Sequence, residues 1–305
     1  MKKNKGGSLI LVVGTISIII VTVCAFNKDY IIHKYYEYTL NNKYLTQKTN
    51  EYYLEDNFNY VDNAEDTVLT SKQDIINSIY FLINSGTNHS IRYCSKDYEK
   101  CYQDVNDITS NAELLTNLNS FVHPYNSFVN ISINYKNGIV EFTIKHIYSE
   151  NDINTINNII NDFIDNNINN SMSIKEKIKI IHDYIINNAD YDTLKTNNKN
   201  DETYSSNTAY GVLVQGYGIC SGYSDAMAIF LDKLNVINYK ISNDQHIWNI
   251  VYLDGEWLHL DLTWDDPISE NNITRDNYFL ITTKALEAID DENHYYNKSI
   301  FSEAK

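Results

Sequence analysis

The feature that most constrains this chain is Asp254-Gly255 set between two β-rich segments, Ile247 to Leu253 and Glu256 to Leu262. Asp-Gly is a strong tight-hairpin signal because both central positions of that turn need positive φ. A turn centred there pairs residues whose numbers sum to 509, so Trp248 faces Asp261 and His246 faces Thr263. Cross-strand partners share a face, as do positions two apart on one strand. His246 and Asp261 therefore project to one face as diagonal neighbours, within reach of a carboxylate–imidazole bond. A bulge would shift this register.

Upstream, Gly216-Tyr217-Gly218-Ile219-Cys220-Ser221-Gly222-Tyr223 runs into Ala226, Met227, Phe230, Leu231 and Leu234, which recur on one buried helical face. The pattern predicts Cys220 in the first turn of a helix, behind a glycine-rich bend. There, unpaired N–H groups and the helix dipole favour an anion, and a thiolate is one. An adjacent imidazole takes the thiol proton and stabilises the thiolate, and a carboxylate on the other ring nitrogen fixes the tautomer. Cys220, His246 and Asp261 thus form a candidate nucleophile, base and orienting acid. Attack on an amide also needs donors for the developing oxyanion. The Cys220 N–H is one, and Gln215 is a candidate second. Trp248 and Trp264 are candidate walls of a cleft, although core packing explains both.

These residues resemble the transglutaminase-like superfamily, a branch of the papain-like cysteine enzymes. Its blocks Gly-x-Cys-x-Gly-Tyr, His-x-Trp-Asn and Asp-x-Thr-Trp-Asp-Asp are matched by Gly218–Tyr223, His246–Asn249 and Asp261–Asp266, with gaps of 26 (246 − 220) and 15 (261 − 246). The resemblance covers Ser173 to Pro267. It implies that Cys220 is the nucleophile, His246 the base and Asp261 its partner, in an enzyme that acts on protein amides through a thioester. A cysteine peptidase or deamidase of the same fold, and a non-catalytic binding module, are the alternatives. Triad residues are common to cross-linking and hydrolysis.

The implied fold is α+β: a papain-like, transglutaminase-like core with the nucleophile at a helix N-terminus packed on an antiparallel sheet. A smaller α+β region and an N-terminal transmembrane helix precede it. Lys2, Lys3 and Lys5 stand before an uncharged apolar run, Leu9 to Phe26, which predicts a membrane anchor at residues 9–26 with the body outside. A cleaved signal ending after Ala25, giving a secreted protein, is the alternative. The expected organisation is 1–26 signal anchor, 27–65 polar stalk, 66–170 N-terminal α+β region and 171–305 catalytic domain.

In the 66–170 region, Ser71 to Asp74 marks a helix start and Asn137-Gly138 a hairpin between Val129–Tyr135 and Val140–Ile144. Ser173 and Glu176 form a capping box, and His182 reads as a satisfied histidine at that helix's edge. Four cysteines occur; in an oxidising compartment Cys94 and Cys101 are the natural disulfide, leaving Cys220 as the odd thiol. No cofactor is expected. Neither spacing fits a zinc site, no HExxH helix occurs, and Asp290-Asp291-Glu292 lacks cation-loop spacing, so no metal is expected either. The absence of CxxC argues against thiol–disulfide exchange. A net charge of −16, from 24 Lys plus Arg against 40 Asp plus Glu, argues against nucleic acid. The expected partner is a protein or peptide substrate.

Overall fold

The computed structural model describes residues 49–64, 68–266, 276–289 and 292–304, with scattered, exposed positions between 21 and 38. Most of the predicted anchor, Leu9 to Phe26, lies outside the described residues. Among the described residues no helix is long and apolar enough to cross a membrane.

Two sheets organise the fold. The first has strand order β1-β2-β4-β3, formed by β1 (Val68–Leu69), β2 (His89–Cys94), β3 (Phe128–Lys136) and β4 (Ile139–His146). The predicted β3–β4 hairpin turns at Asn137 and Gly138, both at positive φ. Helix α1 (Lys72–Asn84) begins with a capping box in which Ser71 and Asp74 bond each other's backbone N–H, and ends before Gly86 at φ 72°. Helices α2 (Cys101–Thr109) and α3 (Ala112–Leu118) follow β2. A disulfide joins Cys94, the last residue of β2, to Cys101, the first of α2.

Helices α4 (Glu150–Asn167) and α5 (Ile174–Asn188) lead into the second half, each opened by a serine capping box, Ser149 with Asp152 and Ser173 with Glu176. A two-stranded parallel pair, β5 (Asp190–Tyr191) with β6 (Tyr217–Gly218), brackets the short helix α6 (Thr193–Asn197) and a π-helical turn, Gly211–Gln215. Helix α7 (Cys220–Lys233) follows. The second sheet is antiparallel, β7 (Asn238–Ser242), β8 (Ile247–Leu253) and β9 (Glu256–Leu260), in that order. Helices α8 (Leu262–Asp265) and α9 (Thr283–Ile289) complete the described elements.

The β8–β9 register is the one the Asp-Gly turn requires: Leu253 pairs with Glu256 and Asn249 with Leu260. Asp254 and Gly255 have φ of 53° and 89°. Strand β9 stops at Leu260 and β8 starts at Ile247, so His246 and Asp261 both lie just past the end of the ladder.

Two expectations are corrected. The 27–65 stalk does not extend to Glu65, because Phe58 and Val61 are buried in the body and Tyr53 and Tyr60 pack against the same cluster. Apolar anchors spaced through a polar stretch hold it down. Nor does a boundary at 170/171 separate two cores. Tyr239, Ile241, Trp248 and Ile250 of the second sheet belong to the cluster of Phe58, Phe121 and Phe142, whereas Val251 and Leu260 belong to that of α5 and α7. Ile156 and Ile160 of α4 also join the latter. The second sheet is thus a shared wall between both halves.

Candidate active site

Cys220 is the first residue of α7, and its N-cap, Ile219, offers no side-chain acceptor. The first-turn N–H groups of a helix have no intrahelical partner, so the dipole end is left to the thiol and whatever binds beside it. The thiol is free and half-buried. Gly222 explains the second glycine of its block. A Cβ there would stand 2.3 Å from the Ser206 carbonyl oxygen and 3.0 Å from that of Thr208, so any side chain would push the helix start off this backbone.

The other motif residues tie the elements of the candidate site together. Tyr223 Oη lies 2.5 Å from Asp266 Oδ2 and 3.1 Å from the Ala189 carbonyl, linking α7 to the end of α8. Ser224 Oγ reaches the carbonyls of Cys220 (2.8 Å) and Ile247 (3.0 Å), and Asn249 Nδ2 donates to the Ser224 carbonyl at 3.0 Å. These bonds fix the nucleophile helix against β8, immediately after His246.

His246 donates from Nε2 to Asp261 Oδ2 at 2.5 Å. The Cys220 thiol also lies close enough to this ring to favour its charged form. Asp261 caps α8: its Oδ1 accepts the N–H groups of Thr263 (2.9 Å) and Trp264 (3.2 Å). Burial opposes charge on both groups, but the pair overrides it. Against burial, the charge and bond of Asp261, then of Cys220, push His246 up to about 10. Against burial, His246 and then His294 hold Asp261 well below the usual carboxylate range. His246 is therefore an imidazolium at neutral pH.

A cleft of about 520 Å³ opens beside this group, lined by Tyr191, Gln245, His246, Trp264, Asp266 and Glu292 among others. Burial, then the nearby Asp190, push Asp266 up to about 6 against its bond from Tyr223. Trp264 forms part of the wall. Trp248 does not: it is 1% exposed, stacks under His246 with ring centroids 5.5 Å apart, and donates its Nε1–H to His259 Nδ1. The expectation that Trp248 walls the cleft is thus corrected to a floor beneath the histidine. Burial pushes His259 down to about 3, which keeps its Nδ1 an acceptor for that bond. Gln215 ends the π-helical turn, exposed, and its Oε1 accepts the Ser205 N–H at 2.7 Å, leaving Nε2 as a donor.

His182 is fully buried, its two ring nitrogens facing Asp183 (3.0 Å) and Asp265 (3.1 Å). Among the described residues, two groups bring three metal-competent side chains together: His246, Asp261 and His294, and His182, Asp183 and Asp276. In the second, the Lys179 ammonium already bridges Asp183 and Asp276. In the first, both histidines are hydrogen-bonded to one oxygen of Asp261. Asp290 and Asp291 lie outside the described residues; Glu292 lines the cleft.

His294 is the site residue the sequence reading missed. It lies 33 residues beyond Asp261, and its Nε2 sits 2.8 Å from the same Oδ2 that His246 uses.

With this geometry in place, the comparisons identify the class. Residues 162–262 match the family model of the transglutaminase-like superfamily, a third of the 305 residues. The similarity to that superfamily is confined to this segment. A solved structure described as the crystal structure of a TGase is similar at 19% identity, over 50% of this chain and 48% of that one, with a TM-score of 0.35. The chain thus spans about half the length of that protein. No curated protein matches the chain.

Proposed function

We propose that this protein is an exported cysteine-dependent acyl transferase that acts on protein amides through a thioester. The observation that carries the reading is the His246 ring bonded to the Asp261 carboxylate, with the Cys220 thiol near enough to favour its charged form. It lies at an uncapped helix start, beside a cleft. In this reading the Cys220 thiolate attacks a carboxamide carbon, and the Cys220 N–H and Gln215 Nε2 receive the oxyanion. The carbon–nitrogen bond breaks, and ammonia leaves with the proton that His246 gives up. In the resulting thioester the sulfur carries no charge, so part of what raised His246 is gone and the neutral ring is free to act as a base. An amine attacks the thioester, its proton passes to His246, and the carbon–sulfur bond breaks to restore the thiolate.

Asp266 and Glu292, beside the aromatic surfaces of Tyr191, Trp264 and Tyr295, suit an acceptor that arrives as an ammonium group. Export is supported by the basic residues before Leu9–Phe26 and by the Cys94–Cys101 disulfide.

The test is incorporation of a tagged primary amine into a glutamine-rich protein by the detergent-solubilised full chain, compared with Cys220→Ala. Cys220-dependent incorporation is the expected result. Ammonia release without incorporation would make the protein a hydrolase. Neither product, with Cys220→Ala folded alike, would leave a binding module.

A further inference from the structure

The carboxylate of Asp261 is served by two histidines, and only one of them faces the nucleophile. His294 bonds Asp261 Oδ2 at 2.8 Å, and its side chain is completely buried. Its ring stacks on Tyr278 with centroids 5.1 Å apart and an interplanar angle of 21°. It meets Trp264 at 5.1 Å and Trp248 at 4.9 Å edge-on, and His246 at 5.2 Å and 90°. Four rings around an imidazole leave it one orientation.

The backbone that carries His294 is clamped as tightly. Asn243 Nδ2 donates to the carbonyls of Asn293 (2.8 Å) and Tyr295 (2.9 Å), the two residues flanking His294. The Oδ1 of the same amide accepts the N–H groups of Gln245 and His246, both at 2.9 Å, and the Asn243 N–H bonds the His246 carbonyl at 3.0 Å. One asparagine side chain therefore joins the turn that holds His246 to the segment that holds His294.

This arrangement solves a mechanical problem of the triad. Asp261 Oδ1 is pinned by two backbone N–H groups, but Oδ2 would otherwise have only His246, the ring whose protonation changes during turnover. A second, stationary donor keeps the plane of the carboxylate fixed while His246 gives up its proton. We propose that His294 is a positioning residue that holds Asp261 for His246, with Asn243 as the clamp that registers the two histidines. The proposal rests on the cysteine–histidine reading of the site. It also extends that site: residues 293–295 lie beyond the family-matched segment, which ends at residue 262.

The test measures two things in the full-length protein: the rate of Cys220 alkylation by iodoacetamide at pH 6.5, and kcat and KM for amine incorporation. His294→Ala is expected to slow alkylation and lower kcat by about 10- to 100-fold, the range for losing a hydrogen bond to a charged group, with KM held. His294→Gln, whose amide keeps a donor near the Nε2 position, restores most of both rates. Asn243→Asp keeps the acceptor for His246 and Gln245 but sets a carboxylate against the Asn293 and Tyr295 carbonyls. It is expected to reproduce the His294→Ala loss, which keeps the test decisive if His294→Ala does not fold. Wild-type alkylation no faster than that of a free cysteine would sink the cysteine–histidine reading itself. Fast wild-type alkylation that neither Asn243→Asp nor a folded His294→Ala slows would overturn the positioning role alone.

Discussion

Replacing Asp261 by Asn keeps an oxygen for the Thr263 and Trp264 N–H groups and removes the charge opposite His246. Without that charge, burial acts on the ring with only Cys220 opposing it, and His246 falls from about 10 toward or below the 6.5 of a free imidazole. The gap between 10 and 6.5, at ~1.4 kcal/mol per pH unit, corresponds to about 5 kcal/mol. Losing one partner of a buried ion pair costs about 3–5 kcal/mol in general, so the two scales agree. The pH dependence has a definite sign. A raised histidine contributes stability that is complete below its unfolded value and lost as pH rises through its folded one, here between about 6.5 and 10. The depressed Asp261 contributes above its unfolded value near 3.8 and loses it in stronger acid. Urea unfolding should therefore find Asp261→Asn less stable by about 3–5 kcal/mol at pH 6, with most of that penalty gone by pH 10.5. Ring-proton NMR should show His246 of the native protein still charged at pH 8. A penalty independent of pH, or native His246 titrating near 6.5, would refute the ion-pair argument.

Two further perturbations test parts of the fold that support the site. Lys240 of β7 and Asp225 of α7 form a buried pair at 2.6 Å, and the Tyr148 hydroxyl donates to the other Asp225 oxygen at 2.6 Å. Asp225→Ala should cost about 3–5 kcal/mol in urea unfolding because it strands the Lys240 charge; a loss below ~1 kcal/mol would mean that Lys240 finds water. The Cys94–Cys101 bond spans a sequence separation of 7, and closing so short a loop is worth about 2.5 kcal/mol by chain entropy. The double serine variant should lose that much stability, and mass spectrometry under non-reducing conditions should find the bond in the native protein.

The candidate triad was legible because each of its signals is local. A tight turn fixes a register, a glycine-flanked cysteine before a periodic run fixes a helix start, and both rest on neighbours within a dozen residues. The shared wall was less legible. Trp248, Asn249, Ile250 and Val251 are all buried, which is the signature of a strand covered on both faces. Periodicity tells that a face is buried and not what buries it, so Phe121 and Phe58 as partners of Tyr239 had no sequence signal. His294 was invisible for the same reason. Its bond to Asp261 is long-range, and its neighbours Asp290, Asp291 and Glu292 drew attention as an acidic cluster. A histidine flanked by residues that line the cleft, Asn293 and Tyr295, is meaningful only once the chain has returned to Asp261.

The shared wall has a consequence for any attempt to isolate the catalytic half. A chain begun at Ser171 keeps the triad and the family-matched motifs, but it loses α1, α3, the first sheet and α4. Tyr239, Ile241, Trp248 and Ile250, each at most 2% exposed, would then lose the part of their cluster that Phe58, Phe121 and Phe142 supply, and Tyr239 would lose direct ring contacts with Phe58 and Phe121. Fully burying one large apolar side chain is worth about 1.5–3 kcal/mol, so roughly 6–12 kcal/mol is the upper bound for uncovering these four. That is comparable to the whole stability of an ordinary domain, about 5–15 kcal/mol. Helix α7 would also lose Tyr148 from Asp225, and α5 would lose the contacts of Ile156 and Ile160. The truncated chain should show no cooperative urea transition, and Cys220 should alkylate at the rate of an unfolded thiol. A cooperative transition near that of the full body, with Cys220 reactivity intact, would show that the N-terminal half is an appendage. On the packing seen here it is instead the buttress against which Tyr239 of β7 and Asp225 of α7 are held.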